Sequence, residues 1–211
     1  MKVTAINGSP RSSGNCALAL ARMGAVLEAQ GIGFEVLHVG GSLIRGCRAC
    51  GQCGARRDGR CVFDGDPVNE ALPALRESDG IVLAAPVYFS GVAGTMKSFL
   101  DRVFYVANAN GSFFRHKAGA ALVSVRRSGG SSTLDCLNHY LSYSEMLVAT
   151  SNYWAIVHGR EGGEAAQDEE GMQTVDQLAA SLAWILRMRE ASKEAVSEPG
   201  AARKVMTSFI R

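Results

Sequence analysis

The 211-residue sequence has almost no excess of charge of either sign and no long apolar runs. Its 22 Lys and Arg residues against 20 Asp and Glu residues give a formal net charge of +2. That balance argues against nucleic-acid binding, which usually requires a strongly basic domain. The longest apolar runs, residues 81–87 and 118–125, are far shorter than the roughly 20 residues that span a bilayer. Only Val3–Ile6 precedes the first polar loop, so we expect no secretory signal, no membrane partner and a cytoplasmic location.

Several well-known site motifs are also missing. The loop after the first predicted strand has neither the G-x-x-x-x-G-K-[ST] spacing of nucleoside triphosphatases nor the G-x-G-x-x-G of dinucleotide folds. The four histidines lie far apart without H-E-x-x-H spacing, so they predict no metal site. Six cysteines in a reducing compartment indicate packing, metal or redox chemistry in place of disulfides. Among them, Cys136 lies on a predicted helix and is expected in the core.

Strand and helix patterns alternate along the chain. Strands are predicted at 3–6, 34–39, 81–85 and 118–125, with a fifth within 147–157. The run at 152–158 is expected to be core strand. Helices are predicted at 17–30, 67–76, 92–106, 131–143 and 174–191. This alternation predicts one α/β domain, in which an open parallel sheet carries helices on both faces.

Two segments do not follow this alternation. Residues 40–66 are long for a loop inside a compact domain, hold four of the six cysteines, and are therefore a candidate functional insertion. The tail 196–211 ends in an apolar group, Val205, Met206, Phe209 and Ile210. We expect this tail to dock on its own domain or on a partner subunit.

Ligands in open parallel sheets bind at the carboxyl ends of the strands, so the loops there are candidate sites. Gly8–Cys16 combines small residues, hydroxyls and Arg11 with a following helix start, a setting that favours a phosphate. The alternative is a polar turn in which Ser13 or Asn15 caps the helix.

One loop with aromatic residues and glycines, and one loop with two cations, follow the next two strands. Pro86–Gly94 has aromatics and glycines that suit a flat ring lying against the backbone, whereas the alternative buries Tyr88 and Phe89 in the core. Arg126–Gly130 offers two cations on a flexible backbone, and its alternative is a solvated loop.

Three cysteines at x2 spacing, Cys47, Cys50 and Cys53, precede Cys61 by seven intervening residues. Such C-x2-C-x2-C runs with a fourth cysteine nearby are typical of iron-sulfur ligation. Zinc is a second interpretation, because four thiolates close a tetrahedral site, and free or redox-active thiols are a third. Nearby arginines would lower thiol pKa values and offset the charge of either centre.

Three segments, Gly8–Asn15, Ala85–Gly91 and Met96–Arg102, resemble in order and distance the NADPH-dependent FMN reductase branch of flavodoxin-like proteins. The resemblance covers nearly the whole chain and implies a flavodoxin-like three-layer domain over 1–195 with sheet order 2-1-3-4-5. It implies FMN as cofactor and NAD(P)H as co-substrate. By this resemblance, the FMN phosphate is held at Ser9, Arg11, Ser13, Asn15 and the adjoining Cys16, the ring is lined by Pro86, Val87, Tyr88, Phe89, Ser90 and Gly91, and its pyrimidine end is closed by Arg126, Arg127, Gly129 and Gly130.

The cysteine run, Cys16 and Gly171–Val175 also resemble the iron-sulfur flavoproteins, where a compact run of this kind binds a [4Fe-4S] cluster beside FMN. That resemblance implies Cys47, Cys50, Cys53 and Cys61 as cluster ligands, and the family implies a homodimer or homotetramer. No catalytic side chain is required, since the flavin N5 carries the chemistry.

Three functions follow. The first is an oxidoreductase that passes electrons from NAD(P)H through FMN to a small acceptor such as a flavin, quinone or nitro compound. The second is an electron carrier with FMN and a [4Fe-4S] cluster that receives electrons from a ferredoxin-like partner. The third is a zinc-stabilised or metal-free binding module that holds no flavin.

Overall fold

A computed structural model describes residues 1–202, 204–207 and 209. Its strands are β1 (Lys2–Asn7), β2 (Gly33–His38), β3 (Gly80–Tyr88), β4 (Gly91–Val92), β5 (Ala118–Val125), β6 (Leu147–Val148) and β7 (Ile156–His158). Its helices are α1 (Asn15–Glu28), α2 (Gln52–Arg56), α3 (Val68–Glu77), α4 (Gly94–Ala109), α5 (Gly130–Tyr143) and α6 (Glu169–Ser192), with one 3-10 turn at Glu164–Gln167. Among the described residues, no helix is long and apolar enough to cross a membrane.

The sheet is parallel in the order β2-β1-β3-β5-β6, and β7 also pairs with β5, farther along it. The predicted α/β fold is therefore confirmed. The fifth strand predicted within 147–157 is divided into two segments, because β6 pairs only with Ala118 and Gly119 while β7 pairs only with 123–125. Residues 149–155 leave the sheet between them, and Tyr153 and Trp154 are exposed instead of lying in the core. One further strand, β4, turns back antiparallel on the end of β3.

Side chains of alternate residues in the central strands pack into two hydrophobic cores, one on each face of the sheet. Ile81 and Leu83 join the core under α3, α4 and α5, whereas Val82 and Ala84 join the core under α1 and α6. This explains why these strands are apolar throughout, as expected for strands covered on both faces.

Two further differences from the predictions concern helices α6 and α5. Helix α6 begins at Glu169, earlier than predicted, because the Asp168 carboxylate caps it by accepting from the Gly171 N–H at 2.9 Å. Cys136 is exposed, so the prediction that it lies in the core is wrong. Helix α5 buries Leu134, Leu137 and Leu141 on its other side.

The tail contacts the domain through polar groups. Glu198 accepts from His116 Nδ1 at 2.8 Å, and Arg115 donates to the Pro199 carbonyl. The apolar residues Val205, Met206 and Phe209 are exposed and do not dock on the domain. Ile210 and Arg211 of the predicted tail lie outside the described residues.

Candidate functional site

The loop between β1 and α1 ends in a helix start without a side-chain cap. Gly14 occupies the N-cap position, so the alternative in which Ser13 or Asn15 caps the helix is wrong. The N–H groups of Asn15, Cys16 and Ala17 have no acceptor among the described residues. Unpaired N–H groups and the positive end of the helix dipole make this start a suitable anion site.

Two predicted residues of this loop turn their side chains inward. Asn15 Oδ1 accepts from the N–H groups of Gly163 (3.0 Å) and Ala165 (3.2 Å). Cys16 is fully buried, its Sγ lies 3.0 Å from Ser124 Oγ, and burial raises the pKa of its thiol to about 11. Both side chains therefore hold the loop in place, and only their main-chain N–H groups are oriented to meet an anion.

The other three predicted residues differ in exposure. Ser9 is buried, and its Oγ accepts from the Arg11 N–H at 3.2 Å, which closes the loop on itself. Arg11 and Ser13 are exposed. Both side chains are therefore solvent-accessible beside the helix start, although the Arg11 guanidinium also contacts Arg160 and Glu161 of a neighbouring loop.

A glycine-rich loop after β7, residues 159–163, packs beside the first loop and was not predicted as part of the site. Its Arg160 carbonyl accepts from Arg11 Nη1 at 3.2 Å. A Cβ on Gly159 would lie 2.6 Å from Asn15 Nδ2, so only glycine fits there. The sequence signal for it was the run Gly-Arg-Glu-Gly-Gly directly after the last strand.

Strands β3 and β4 form a tight hairpin whose two-residue turn is Phe89-Ser90. Both residues have positive φ, +49° and +59°, as a type I′ turn requires. That turn favours Asn and Gly, so the backbone is strained here. Tyr88 and Phe89 are exposed, which contradicts the alternative that they are core residues.

The hairpin tip rests on the loop that precedes α5. Ser132 Oγ donates to the Ser90 carbonyl at 2.9 Å. Gly129 has φ +86°, and a Cβ there would lie 2.7 Å from Ser90 Cα. Arg126 and Arg127 are exposed beside this contact, as in the solvated-loop alternative. The structure thus brings the second and third predicted loops, Pro86–Gly91 and Arg126–Gly130, into one surface at the carboxyl ends of the strands.

The four cysteines of the insertion line one small pocket of about 20 Å³. Cys47 and Cys50 are exposed at its mouth, Cys53 is buried and Cys61 is half-buried. Burial raises the pKa of the Cys53 thiol, and the neighbouring Cys61 and Cys50 add to that rise. Within the described part of the chain, no three His, Cys, Asp or Glu side chains stand close enough to form a metal site.

A buried arginine from α4 organises the insertion. The Arg102 side chain has no exposed surface and forms an ion pair with Asp66. It also donates to the Phe63 carbonyl at 2.8 Å and, through Nε, to Cys61 Sγ at 3.3 Å. Arg45 lies 4.2 Å above the centre of the Phe63 ring as a cation–π contact. Arg102 lies in the motif Met96–Arg102, but its contacts could not be predicted from the sequence, because its partners lie 36 to 57 residues away.

The insertion begins directly against the first loop. His38 Nε2 donates to the Ser9 carbonyl at 2.8 Å, and a Cβ on Gly40 would lie 2.2 Å from that oxygen. Arg102 follows Gly94, the first residue of α4, by eight residues, or about 12 Å of helix. The pocket lined by the four cysteines therefore lies farther along α4 than the surface formed by the loops 86–91 and 126–130, which we call the hairpin surface.

The chain is similar in sequence to known flavoproteins over most of its length. The sequence profile described as NADPH-dependent FMN reductase matches residues 1–161. An iron-sulfur flavoprotein of Methanosarcina thermophila is 31% identical over 196 residues, covering 92% of this chain and 100% of that protein. An iron-sulfur flavoprotein of Methanocaldococcus jannaschii is 31% identical over 195 residues, covering 89% of this chain and 98% of that protein.

Solved structures share the fold. RosB with a bound 8-demethyl-8-formylriboflavin-5'-phosphate intermediate superposes with a TM-score of 0.69 at 18% identity, covering 100% of this chain and 94% of RosB. A WrbA-like flavodoxin from Agrobacterium tumefaciens superposes with a TM-score of 0.53 at 16% identity, covering 89% of this chain and 97% of that flavodoxin. The flavodoxin-like fold is thereby confirmed.

Proposed function

The chain belongs to the NADPH-dependent FMN reductase family and is a flavin oxidoreductase, and we propose that it works as an iron-sulfur flavoprotein that moves electrons between FMN and a [4Fe-4S] cluster. The observation that carries this proposal is the pocket lined by Cys47, Cys50, Cys53 and Cys61. The curated relatives named iron-sulfur flavoprotein support it over nearly the whole chain.

The first loop fits the phosphate of FMN. The unpaired N–H groups at the start of α1 would donate to phosphate oxygens, and Arg11 and Ser13 are exposed to add charge and a hydroxyl. Ser9, Asn15 and Cys16 would act by holding the loop.

The hairpin and the loop before α5 would receive the ring. The main chain of Pro86–Gly91 and of Gly129–Gly130 would face its polar edge, and Arg126 and Arg127 would favour the reduced, anionic flavin. Bound FMN supplies a redox centre that accepts two electrons together and can return them one at a time.

The cysteine pocket fits a cluster by the chemistry of its donors. Four thiols at this spacing are typical ligands, and the Arg102 Nε–H already points at one of them. Arg45 and Arg48 near the mouth would offset the negative charge of the thiolates. Cys47 and Cys50, which are exposed, would turn inward on loading.

A second candidate is the direct oxidation of NAD(P)H with transfer to a flavin, quinone or nitro compound. The family description favours it, and the exposed face beside Tyr88 and Phe89 is open to a nicotinamide ring. In that case the four cysteines of the insertion would not be needed for electron transfer.

The test is anaerobic purification with visible spectroscopy and with flavin, iron and zinc analysis. We expect flavin bands, broad absorbance near about 400 nm and about four irons per chain. Serine substitution of Cys53 or Cys61 should remove iron while flavin stays bound. The matched control is Cys136→Ser, an exposed cysteine outside the insertion, which should keep iron. Flavin without iron in the unsubstituted protein would refute the cluster.

The electron donor is tested next with the loaded protein. Rapid flavin reduction by a reduced ferredoxin, and slow reduction by NADH and NADPH, is the result expected of an electron carrier. Fast multiple-turnover oxidation of NAD(P)H with quinone or nitro acceptors would support the second candidate instead.

A further inference from the structure

The break between β6 and β7 leaves part of β5 without a strand partner on the side away from β3. Main-chain groups of every second residue of β5 face this edge. Gly119 O accepts from the Ala149 N–H at 2.7 Å, and the Val123 N–H donates to Ala155 O at 2.9 Å. Ala121 lies between them, facing the same way, and its N–H and C=O have no partner among the described residues.

A cleft of about 280 Å³ opens over Ala121. Leu134 and Asn138 of α5 line one side and Leu178 of α6 the other, with residues 148–155 closing the edge. None of the described residues that line it is charged. Trp154 is 57% exposed at its rim, next to Tyr153 with ring centres 6.0 Å apart.

Ala121 is only 3% exposed, so its unpaired groups meet little bulk water and face the cleft that the residue lines. Buried main-chain groups are nearly always paired, because an unmade hydrogen bond there is costly. The N–H and C=O of one extended residue are complementary to a group that places a carbonyl next to an N–H, the edge of a lactam, imide or primary carboxamide.

We propose that this cleft is a second ligand site, which binds a neutral, planar heterocycle with a lactam or imide edge. The ligand carbonyl accepts from the Ala121 N–H, and the ligand N–H donates to the Ala121 carbonyl. The uncharged lining selects a neutral ligand, since a buried unpaired charge is strongly unfavourable. Trp154 and Tyr153 at the rim stack on the ring.

This site is separate from the hairpin surface. Ala121 precedes Val125, the last residue of β5, by four residues, or about 13 Å of strand. The proposed cleft site is therefore independent of whether the cysteines hold a cluster and of which donor reduces the flavin.

The first test examines the free, flavin-loaded protein by amide hydrogen exchange. The Ala121 N–H should exchange faster than those of Ala120 and Leu122, which face the paired strand β3. Exchange of Ala121 as slow as that of its neighbours would overturn the premise that it is unpaired.

The second test uses uracil as the probe and its N,N'-dimethyl derivative as the matched control without N–H donors. In a Trp184→Phe background, Trp154 is the only tryptophan. Uracil should saturably change Trp154 fluorescence, shift the Ala121 amide resonance and slow its exchange. The dimethyl derivative should bind about tenfold more weakly or worse, because it leaves the Ala121 carbonyl unpaired.

Two tryptophan variants distinguish uracil binding in the cleft from nonspecific binding elsewhere on the protein. Trp154→Ala should weaken uracil binding, measured by the Ala121 shift, while Trp184→Ala, an exposed tryptophan on α6, should not. Equal affinity for the two probes, or no shift at Ala121, would refute the proposal and leave the cleft as a place for water only.

Discussion

Replacing Arg102 with Met tests how the cysteine insertion is held. The substitution removes a guanidinium with no exposed surface and leaves the Asp66 side chain, 6% exposed, without its ion-pair partner. It also removes the donor to the Phe63 carbonyl. Breaking one side of a buried ion pair typically costs about 3–5 kcal/mol. Against a stability on the order of 5–15 kcal/mol for a domain, that is a large loss.

The assay is urea unfolding of the cofactor-free protein, because bound ligands add their own stabilisation. The matched control is Arg60→Met in the same insertion, whose pair with Asp64 is exposed on both sides. We expect that control to cost less than about 1 kcal/mol. Arg102→Lys keeps the charge but loses the fork of donors, so it should lie between the two.

A double variant tests whether the lost stability comes from the unpaired Asp66 charge. Arg102→Met with Asp66→Leu removes both charges and should recover much of the lost stability, because apolar replacement of a buried pair is often close to neutral. If Arg102→Met costs no more than Arg60→Met, or if the double variant is no more stable than the single one, the pair does not hold the insertion.

Three further predictions concern the site loops. Burial raises the pKa of Cys16 from 9.0 to about 11, so the unfolded chain loses this proton first as the pH rises. The stability that the neutral thiol contributes is complete below about pH 9 and is lost towards about pH 11, up to about 3 kcal/mol. Urea unfolding across this range should show the decline, and Cys16→Ala should flatten it; an equal slope in both proteins would contradict the assignment. Gly129→Ala should weaken FMN binding in a fluorescence titration by displacing the hairpin, whereas Gly111→Ala, which also has positive φ but an open surrounding, should not. Ser90→Gly should stabilise the protein by up to about 1 kcal/mol in thermal unfolding, because glycine adopts positive φ without strain; a loss of stability would show that the side chain matters more than the strain.

The fold and the candidate loops could be predicted because their signals are local. Strands β1, β3 and β5 are covered on both faces, so continuous apolar runs mark them whatever their neighbours are. The loops at their carboxyl ends follow from the strand positions, and the cysteine spacing is visible in the chain itself. The binding roles of these residues stay predictions.

The sequence by itself therefore determined the layers, the central strands and the loops that carry the site. Only the tertiary structure decided that the fifth strand is split, since an edge strand pairs on one side and its apolar pattern does not specify where it leaves the sheet. It also decided the partners of Asn15 and Arg102. Asn15 binds main-chain groups 148 and 150 residues away, and Arg102 reaches back at least 36 residues into the insertion. Such contacts follow from how elements pack, because a buried polar group takes the partner that folding brings within reach.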